Sequence, residues 1–171
     1  MYTQAKRWTR PIFPTLRARR AATPHINRRH LTVAAALPAA SPNLTHIALH
    51  TSKIEDSIQF YERYCGLKLC RTNGDGPSRS VWLAAPGKEK EFVLVLIAGG
   101  TPLPQQPGDY SHLGFDLPSN MDVDAIAKTA KEVGILAMEP REMAYPVGYF
   151  CMLQDPDGRW VEFSHGQPLG E

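Results

Sequence analysis

The chain has 171 residues, of which 43% are hydrophobic and 21% are charged, and this composition is typical of a globular protein. The net charge is only +2. The longest apolar run, residues 92–98, has the length of a strand and is too short to cross a bilayer. We therefore expect neither a nucleic acid nor a membrane as the partner of the folded part.

Residues 1–42 differ in charge from the rest of the chain. This leader contains no Asp or Glu, whereas the residues after it hold 11 Lys and Arg against 17 Asp and Glu. An acid-free, Arg-rich segment with scattered Ser and Thr, ending in AAALP at residues 34–38, is typical of an organelle transit peptide. We interpret it as a mitochondrial matrix targeting segment, with a plastid as the alternative. A disordered basic tail that binds nucleic acid is less consistent with such dispersed basic residues.

Residues 43–171 predict one domain built from two halves. In the first half, alternating apolar residues predict a strand at 44–51, and helical spacing predicts a helix at 56–65 that ends at Gly66. Three more strands are predicted in this half, at 67–71, 80–84 and 92–98. A stretch rich in Gly and Pro, 99–108, is typical of a linker.

The second half repeats this order. Its predicted elements are a strand at 112–117, an amphipathic helix at 123–133 stopped by Gly134, and strands at 136–139, 149–153 and 159–164. Residues 155–158, DPDG, predict a tight turn before the last strand. Thr45-His46-Ile47 matches Ser111-His112-Leu113 at an offset of 66, and the two helix-stopping glycines are 68 residues apart. The chain therefore contains two modules, at about 44–99 and 110–166, each with one strand, one helix and three strands.

The three cysteines Cys65, Cys70 and Cys151 form no C-x-x-C pair. An odd number of cysteines without a C-x-x-C motif argues against a disulfide framework and against a structural zinc cluster. We expect Cys65 on a helix, the other two in strands, and all three as free thiols.

Repeat-related positions carry groups that bind metals. His46 and His112 are repeat equivalents near the start of their strands, and Glu162 stands in an apolar strand where a carboxylate needs a partner. If the modules pair about a pseudo-twofold axis, these three side chains meet in one cavity. Two imidazoles and a carboxylate suit Zn, Ni, Mn or Fe(II) and leave coordination positions open for a substrate. Each histidine, taken singly, is also compatible with an ordinary half-buried strand residue.

Three segments carry a family resemblance: LTHIALHTSKIEDSIQFYERYCGLKL, SHLGFDL and QDPDGRWVEF. They resemble the signature segments of the vicinal oxygen chelate superfamily, which includes glyoxalase I, extradiol dioxygenases, fosfomycin-resistance thiol transferases and methylmalonyl-CoA epimerase. The resemblance covers residues 44 to about 166. It implies an α+β fold of paired βαβββ modules in a cupped, eight-stranded mixed sheet around one divalent metal bound by His46, His112 and Glu162. It also implies a small-molecule substrate and a possible homodimer.

One position departs from the glyoxalase pattern. Glyoxalase I-like enzymes usually carry an acidic ligand on the last strand of the first module, where this chain has Val95; Glu91 lies four residues away. This vacancy is less typical of lactoylglutathione lyase, but the resemblance as a whole implies a glyoxalase-like lyase or isomerase acting on a small carbonyl compound or glutathione adduct, with Glu162 also acting as the base after it loosens from the metal. An extradiol-type dioxygenase with a two-His, one-Glu Fe(II) site is the alternative. A non-catalytic binding protein of the bleomycin-resistance type is a further alternative.

Further polar residues are candidates for secondary roles in catalysis. His50 shares a strand face with His46, so it is a candidate for proton transfer or substrate binding. Weaker candidates for handling protons are Tyr110 and Tyr149. Weaker candidates for holding an anionic substrate are Arg79, Arg141 and Arg159.

Overall fold

A computed structural model describes residues 41–102 and 105–170. The predicted targeting leader, residues 1–42, lies almost wholly outside this range. From Pro42 onward the chain forms one compact unit. None of the helices in the described part has the length and apolar character needed to cross a membrane.

The first module consists of one helix and four strands. In chain order these are β1 (His46–Thr51), α1 (Ile54–Cys65), β2 (Lys68–Asn73), β3 (Ser80–Ala84) and β4 (Val93–Ala98), with a short 3₁₀ turn at Gly76–Ser78. The strands form a sheet of order β1-β4-β3-β2, in which β1 and β4 are parallel and the other pairs antiparallel. Helix α1 ends because Gly66 adopts the left-handed conformation that glycine favours.

The second module has the same order of elements. It consists of β5 (His112–Asp116), α2 (Asn120–Glu132), β6 (Leu136–Met143), β7 (Gly148–Gln154) and β8 (Trp160–His165). Its sheet has the order β5-β8-β7-β6, with β5 and β8 parallel. The N-cap residue of α2 is Ser119, whose hydroxyl accepts a hydrogen bond from the Asp122 amide. The predicted pair of βαβββ modules is confirmed, and the eight strands lie in two four-stranded sheets.

Each sheet has a core face and an outer face. The core faces and both helices share one hydrophobic core, which includes Tyr61, Leu96, Val123 and Phe163. Strand alternation then directs the neighbouring side chains to the opposite, outer face. His46, His50, His112 and Glu162 are on these outer faces.

The predicted elements are close to the observed ones. Strand β3 matches residue for residue, and most other boundaries move by a few residues. The largest difference is β6, which extends to Met143 where the sequence predicts an end at residue 139. The additional residues of β6 are mostly exposed, and a turn at 144–147 follows them. Because they lack the alternation of buried and exposed residues that is typical of a strand, the sequence does not predict this extension.

A polar cluster joins the two modules at the turn between β7 and β8. Asp155 is only 4% exposed and accepts hydrogen bonds from the Tyr61 hydroxyl of α1 at 3.0 Å and from Arg159 Nη1 at 3.0 Å. Burial, and then the Asp155 carboxylate, raise the pKa of Tyr61 well above its ordinary value, so this hydroxyl stays protonated and donates. The DPDG turn predicted from sequence therefore also anchors the second module on the first.

Asp157 adds a second link of this kind. Its carboxylate accepts hydrogen bonds from the Ser52 hydroxyl at 2.7 Å and from the Ser52 amide at 3.1 Å. Burial acts to raise the pKa of Asp157, but the hydrogen bonds from Thr51 and Ser52 and the charge of Arg159 outweigh it, and the pKa lies below its ordinary value. The folded state therefore favours the ionised carboxylate.

This linkage predicts a pH dependence of stability. A carboxyl group whose pKa is lower in the folded state stabilises fully above its unfolded pKa of about 3.9, and this contribution is lost as the pH falls through the folded pKa. We expect Asp157→Asn to lower the free energy of unfolding by an amount that is constant between about pH 5 and 8 and shrinks below about pH 4. Urea unfolding at several pH values measures this difference, and a difference that grows on acidification would contradict the assignment.

Candidate metal centre

His112 and Glu162 lie side by side on the outer face of the second sheet. Strand register places Gly114 opposite Glu162 and His112 opposite Trp160. Since Gly114 has no side chain, the Glu162 carboxylate extends over it toward His112. His112 Nε2 is 3.5 Å from Glu162 Oε2, and the Glu162 side chain is only 5% exposed.

The backbone carbonyl of Tyr110 determines which nitrogen of the His112 ring carries the proton. The Tyr110 carbonyl oxygen lies 2.6 Å from His112 Nδ1. A carbonyl only accepts hydrogen bonds, so Nδ1 carries a proton and donates it. A neutral His112 therefore presents its lone pair at Nε2, on the side of Glu162. Metal-binding histidines are commonly oriented by such a bond from their other ring nitrogen.

The pair has the chemistry and the spacing of two ligands of one metal ion. A neutral imidazole nitrogen and a carboxylate oxygen are both acceptors, so a cation is needed between them, either a proton on Nε2 or a metal ion. Two ligand atoms at about 2.1 Å from a tetrahedral metal are separated by about 3.4 Å. The 3.5 Å between His112 Nε2 and Glu162 Oε2 is close to that separation. These two side chains fit a divalent metal.

His46 is not near this pair in a single chain. It is exposed at the start of β1, where its Nδ1 lies 3.0 Å from the Thr45 hydroxyl. Within the described residues of one chain, no three His, Cys, Asp or Glu side chains lie close enough together to hold a metal ion. The structure therefore brings together two of the three predicted ligands.

His46 does not line the cavities that adjoin His112. One cavity, of about 580 Å³, is lined by Ile47 of β1 and by residues 112–115 of β5. A second cavity, of about 520 Å³, is lined by residues 48–50 of β1 and 111–113 of β5. His112 lines both of these cavities, whereas His46 lines neither of them.

His50, and not His46, lines a cavity together with His112. Both rings line the 520 Å³ cavity, together with Trp160. The ring of His50 lies over Gly100, where an added Cβ would come within 2.1 Å of His50 Nδ1. Gly100 is therefore needed to leave room for this ring. His50 is exposed and available to a molecule in the cavity.

Strand register confirms that Val95 and Glu162 are equivalent. Val95 lies opposite Ala48 in the first module, as Glu162 lies opposite Gly114 in the second. Val95 belongs to an apolar cluster on the outer face with Ala84 and Val93, against which Trp82 and Ile97 pack. Glu91 is in the turn before β4 and lines the 580 Å³ cavity with Lys88. The first module therefore presents two imidazoles, of His46 and His50, on a largely apolar face.

The weaker candidates occupy different places. Arg159 binds Asp155, Asp157 and the His50 carbonyl, and Arg79 pairs with Glu55. The Tyr149 hydroxyl donates to Asp124 Oδ1 at 2.7 Å, and Arg141 is exposed on β6. Tyr110 lies next to the centre, with its ring 6.1 Å from that of Trp160.

Comparison with known proteins identifies the family. A model described as the Glyoxalase/Bleomycin resistance protein/Dioxygenase superfamily matches residues 43–163. The chain belongs to this superfamily. An uncharacterized protein of Pseudomonas aeruginosa is 47% identical to this chain over 130 residues, which cover 76% of this chain and 93% of that protein.

Solved structures with the superfamily fold include enzymes and a binding protein. The fosfomycin resistance protein FosX of Listeria monocytogenes has a TM-score of 0.61 and 17% identity over 75% of this chain and 97% of its own. Leishmania major glyoxalase I has a TM-score of 0.56 and 19% identity over 74% and 88%. TnmS3, an antibiotic-binding protein from Streptomyces sp. CB03234, has a TM-score of 0.55 and 22% identity over 75% and 98%. FosX has also been crystallised with Mn(II). The superfamily resemblance predicted from the sequence motifs is confirmed.

Two contacts of the candidate metal ligands were not predicted from the sequence. Gln167 Nε2 donates a hydrogen bond to Glu162 Oε1 at 2.8 Å, from beyond the end of β8. The carbonyl of Tyr110 orients His112. A backbone carbonyl carries no sequence signal, and a glutamine after the last strand has no metal-binding pattern that could have identified it.

Proposed function

We propose that the protein is a divalent-metal-dependent enzyme with glyoxalase-like lyase or isomerase chemistry, acting on a small carbonyl compound or glutathione adduct. The observation that carries this proposal is the His112–Glu162 pair, 3.5 Å apart with Glu162 almost fully buried. A metal held there would supply Lewis-acid stabilisation of the negative charge that develops on substrate oxygens.

The chain's own residues have separate roles in this proposal. His112 and Glu162 hold the metal, and the Tyr110 carbonyl keeps His112 in the required tautomer. Glu162 would also act as the base that accepts the proton beside the substrate carbonyl, once its Oε2 leaves the metal and comes within hydrogen-bond reach of that carbon. His50 lines the adjoining cavity and contacts the substrate or moves a second proton.

We further propose that a second copy of the chain supplies His46. Within the described residues of one chain, no third His, Cys, Asp or Glu joins His112 and Glu162, while His46 and His112 are both exposed on outer faces. A twofold dimer that places the outer face of one protomer's first module against the partner's second module would form two identical three-ligand sites. The homodimer is thus part of the proposed active site.

Mixing two inactive variants tests the shared site. His46→Ala and Glu162→Ala chains should each lose tight metal binding as homodimers. If equal amounts of the two chains pair at random, about half of the dimers contain one chain of each variant. Each mixed dimer has one intact site and one site that lacks both His46 and Glu162, so about a quarter of the wild-type number of sites is restored. Equilibrium dialysis against Zn²⁺ counts these sites. If mixed dimers form but bind no more metal than either parent, His46 is not shared between copies.

An extradiol-type dioxygenase is the second candidate, and Val95 favours it. With no acid at this position the ligand set is two histidines and one carboxylate, which is the set used by non-haem Fe(II) oxygenases. Activity assays of the metal-loaded protein separate the candidates. Turnover of a glutathione hemithioacetal with Zn, Ni or Mn supports the lyase, and oxygen uptake with a catechol and Fe(II) supports the dioxygenase. Binding of a small molecule with no metal dependence and no turnover supports a bleomycin-resistance type of binding protein.

A further inference from the structure

Gln167 makes a specific contact with the candidate metal ligand Glu162. The chain leaves β8 after His165 and turns at Gly166, whose φ of 85° is in the left-handed region that glycine favours. This turn returns Gln167 over the outer face, where its Nε2 lies 2.8 Å from Glu162 Oε1. The side-chain amide is partly buried there.

The two oxygens of Glu162 therefore have different partners. Oε1 accepts the hydrogen bond from Gln167, and Oε2 faces His112 Nε2 at 3.5 Å. The carboxylate lies over Gly114, where an added Cβ would be 3.9 Å from Oε1, so β5 offers a side-chain partner to Oε2, through His112, but none to Oε1. Gln167 is the side chain that distinguishes the two oxygens.

We propose that Gln167 is a positioning residue for the metal centre: its amide holds Glu162 Oε1 and so directs Oε2 to the metal as a single-oxygen ligand. Without it, the carboxylate is free to rotate and to bind through both oxygens, which uses a coordination position that the substrate needs. Partners that orient a ligating carboxylate are general features of metal sites. This inference rests on the proposed function, because it requires Glu162 to be a metal ligand.

The test measures metal binding by the full chain. We expect Gln167→Ala to weaken Zn²⁺ binding by about tenfold or more, the range found when an outer-shell partner is removed. Gln167→Asn, whose amide is one methylene shorter, should lose as much because it does not reach Oε1. Gln59→Ala removes an exposed amide from α1 and should bind Zn²⁺ as the wild type does.

Two further measurements separate positioning from a general effect on the fold. The visible spectrum of the Co²⁺-loaded protein reports coordination geometry, so it should change in Gln167→Ala while thermal unfolding of the metal-free protein does not. In a Glu162→Ala background, Gln167→Ala should cause no additional loss, because its effect passes through Glu162.

The outcomes distinguish this inference from the proposed function. A wild type that binds no metal overturns both. A wild type that binds metal, together with a Gln167→Ala variant of equal or higher affinity and unchanged Co²⁺ spectrum, overturns the role of Gln167 alone. The role of Gln167 is also overturned if Gln167→Ala weakens Zn²⁺ binding equally in the wild type and in the Glu162→Ala variant, because Gln167 would then act through another group.

Discussion

Replacing Glu162 with glutamine should abolish tight metal binding while leaving the fold intact. The amide keeps the size of the side chain and an oxygen to accept from Gln167, but it removes the negative charge that faces His112. Loss of an outer-shell partner weakens metal binding by about 10–100-fold, so loss of the ligand itself should weaken it by more than about 100-fold. Competition with a chromophoric chelator measures the change in affinity.

The same variant should lose the stabilisation that metal binding gives. At a free metal concentration of 100 times Kd, the wild type should gain about 2.7 kcal/mol, and Glu162→Gln close to none. Glu142→Gln, an exposed carboxylate on β6, is the matched control and should respond to metal as the wild type does. If Glu162→Gln binds metal as tightly as the Glu142→Gln control, Glu162 is not a metal ligand.

Replacing Asp155 with alanine should cause the largest loss of stability among the substitutions considered. Its carboxylate accepts from the Tyr61 hydroxyl, from Arg159 Nη1 and from two backbone amides, and the variant leaves these donors without that acceptor. A buried donor without a partner costs about 1–3 kcal/mol. We expect a loss of at least about 3 kcal/mol, with a fall in Tm of roughly 10 °C.

Asp56→Ala provides the control for this prediction. Asp56 is exposed in the first turn of α1, where its interaction with the helix dipole is worth less than about 1 kcal/mol. Thermal and urea unfolding of both variants give the comparison. If the two variants lose the same small amount, the polar cluster at the β7–β8 turn does not hold the modules together.

Local patterns were sufficient to predict the elements and their repetition. Alternation of apolar residues predicted β1 and β4, and helical spacing with a glycine stop predicted α1 ending at Cys65. The repeated order of elements also placed Val95 and Glu162 on the last strands of the two modules, and strand register puts them at equivalent positions, opposite Ala48 and Gly114. The need of a buried carboxylate for partners was also correctly predicted, because Glu162 contacts His112 and Gln167.

The relation between the modules was not predictable in this way. Strand period determines which face a side chain is on, but not which outer faces meet, because module packing depends on long-range contacts. The Tyr61–Asp155 hydrogen bond joins residues 94 positions apart, and no local pattern indicates it. The sequence also predicted that His46 and His112 meet in one cavity, whereas in one chain His46 lines neither of the two cavities that His112 lines.

A crystal structure of the metal-loaded protein, with the ion located by anomalous scattering, tests the central claim most directly. We expect one ion per chain, bound by His112 Nε2 and Glu162 Oε2 of one protomer and by His46 of a second copy. An ion bound at other residues, or no ion at the His112–Glu162 pair after loading in solution, would contradict the account.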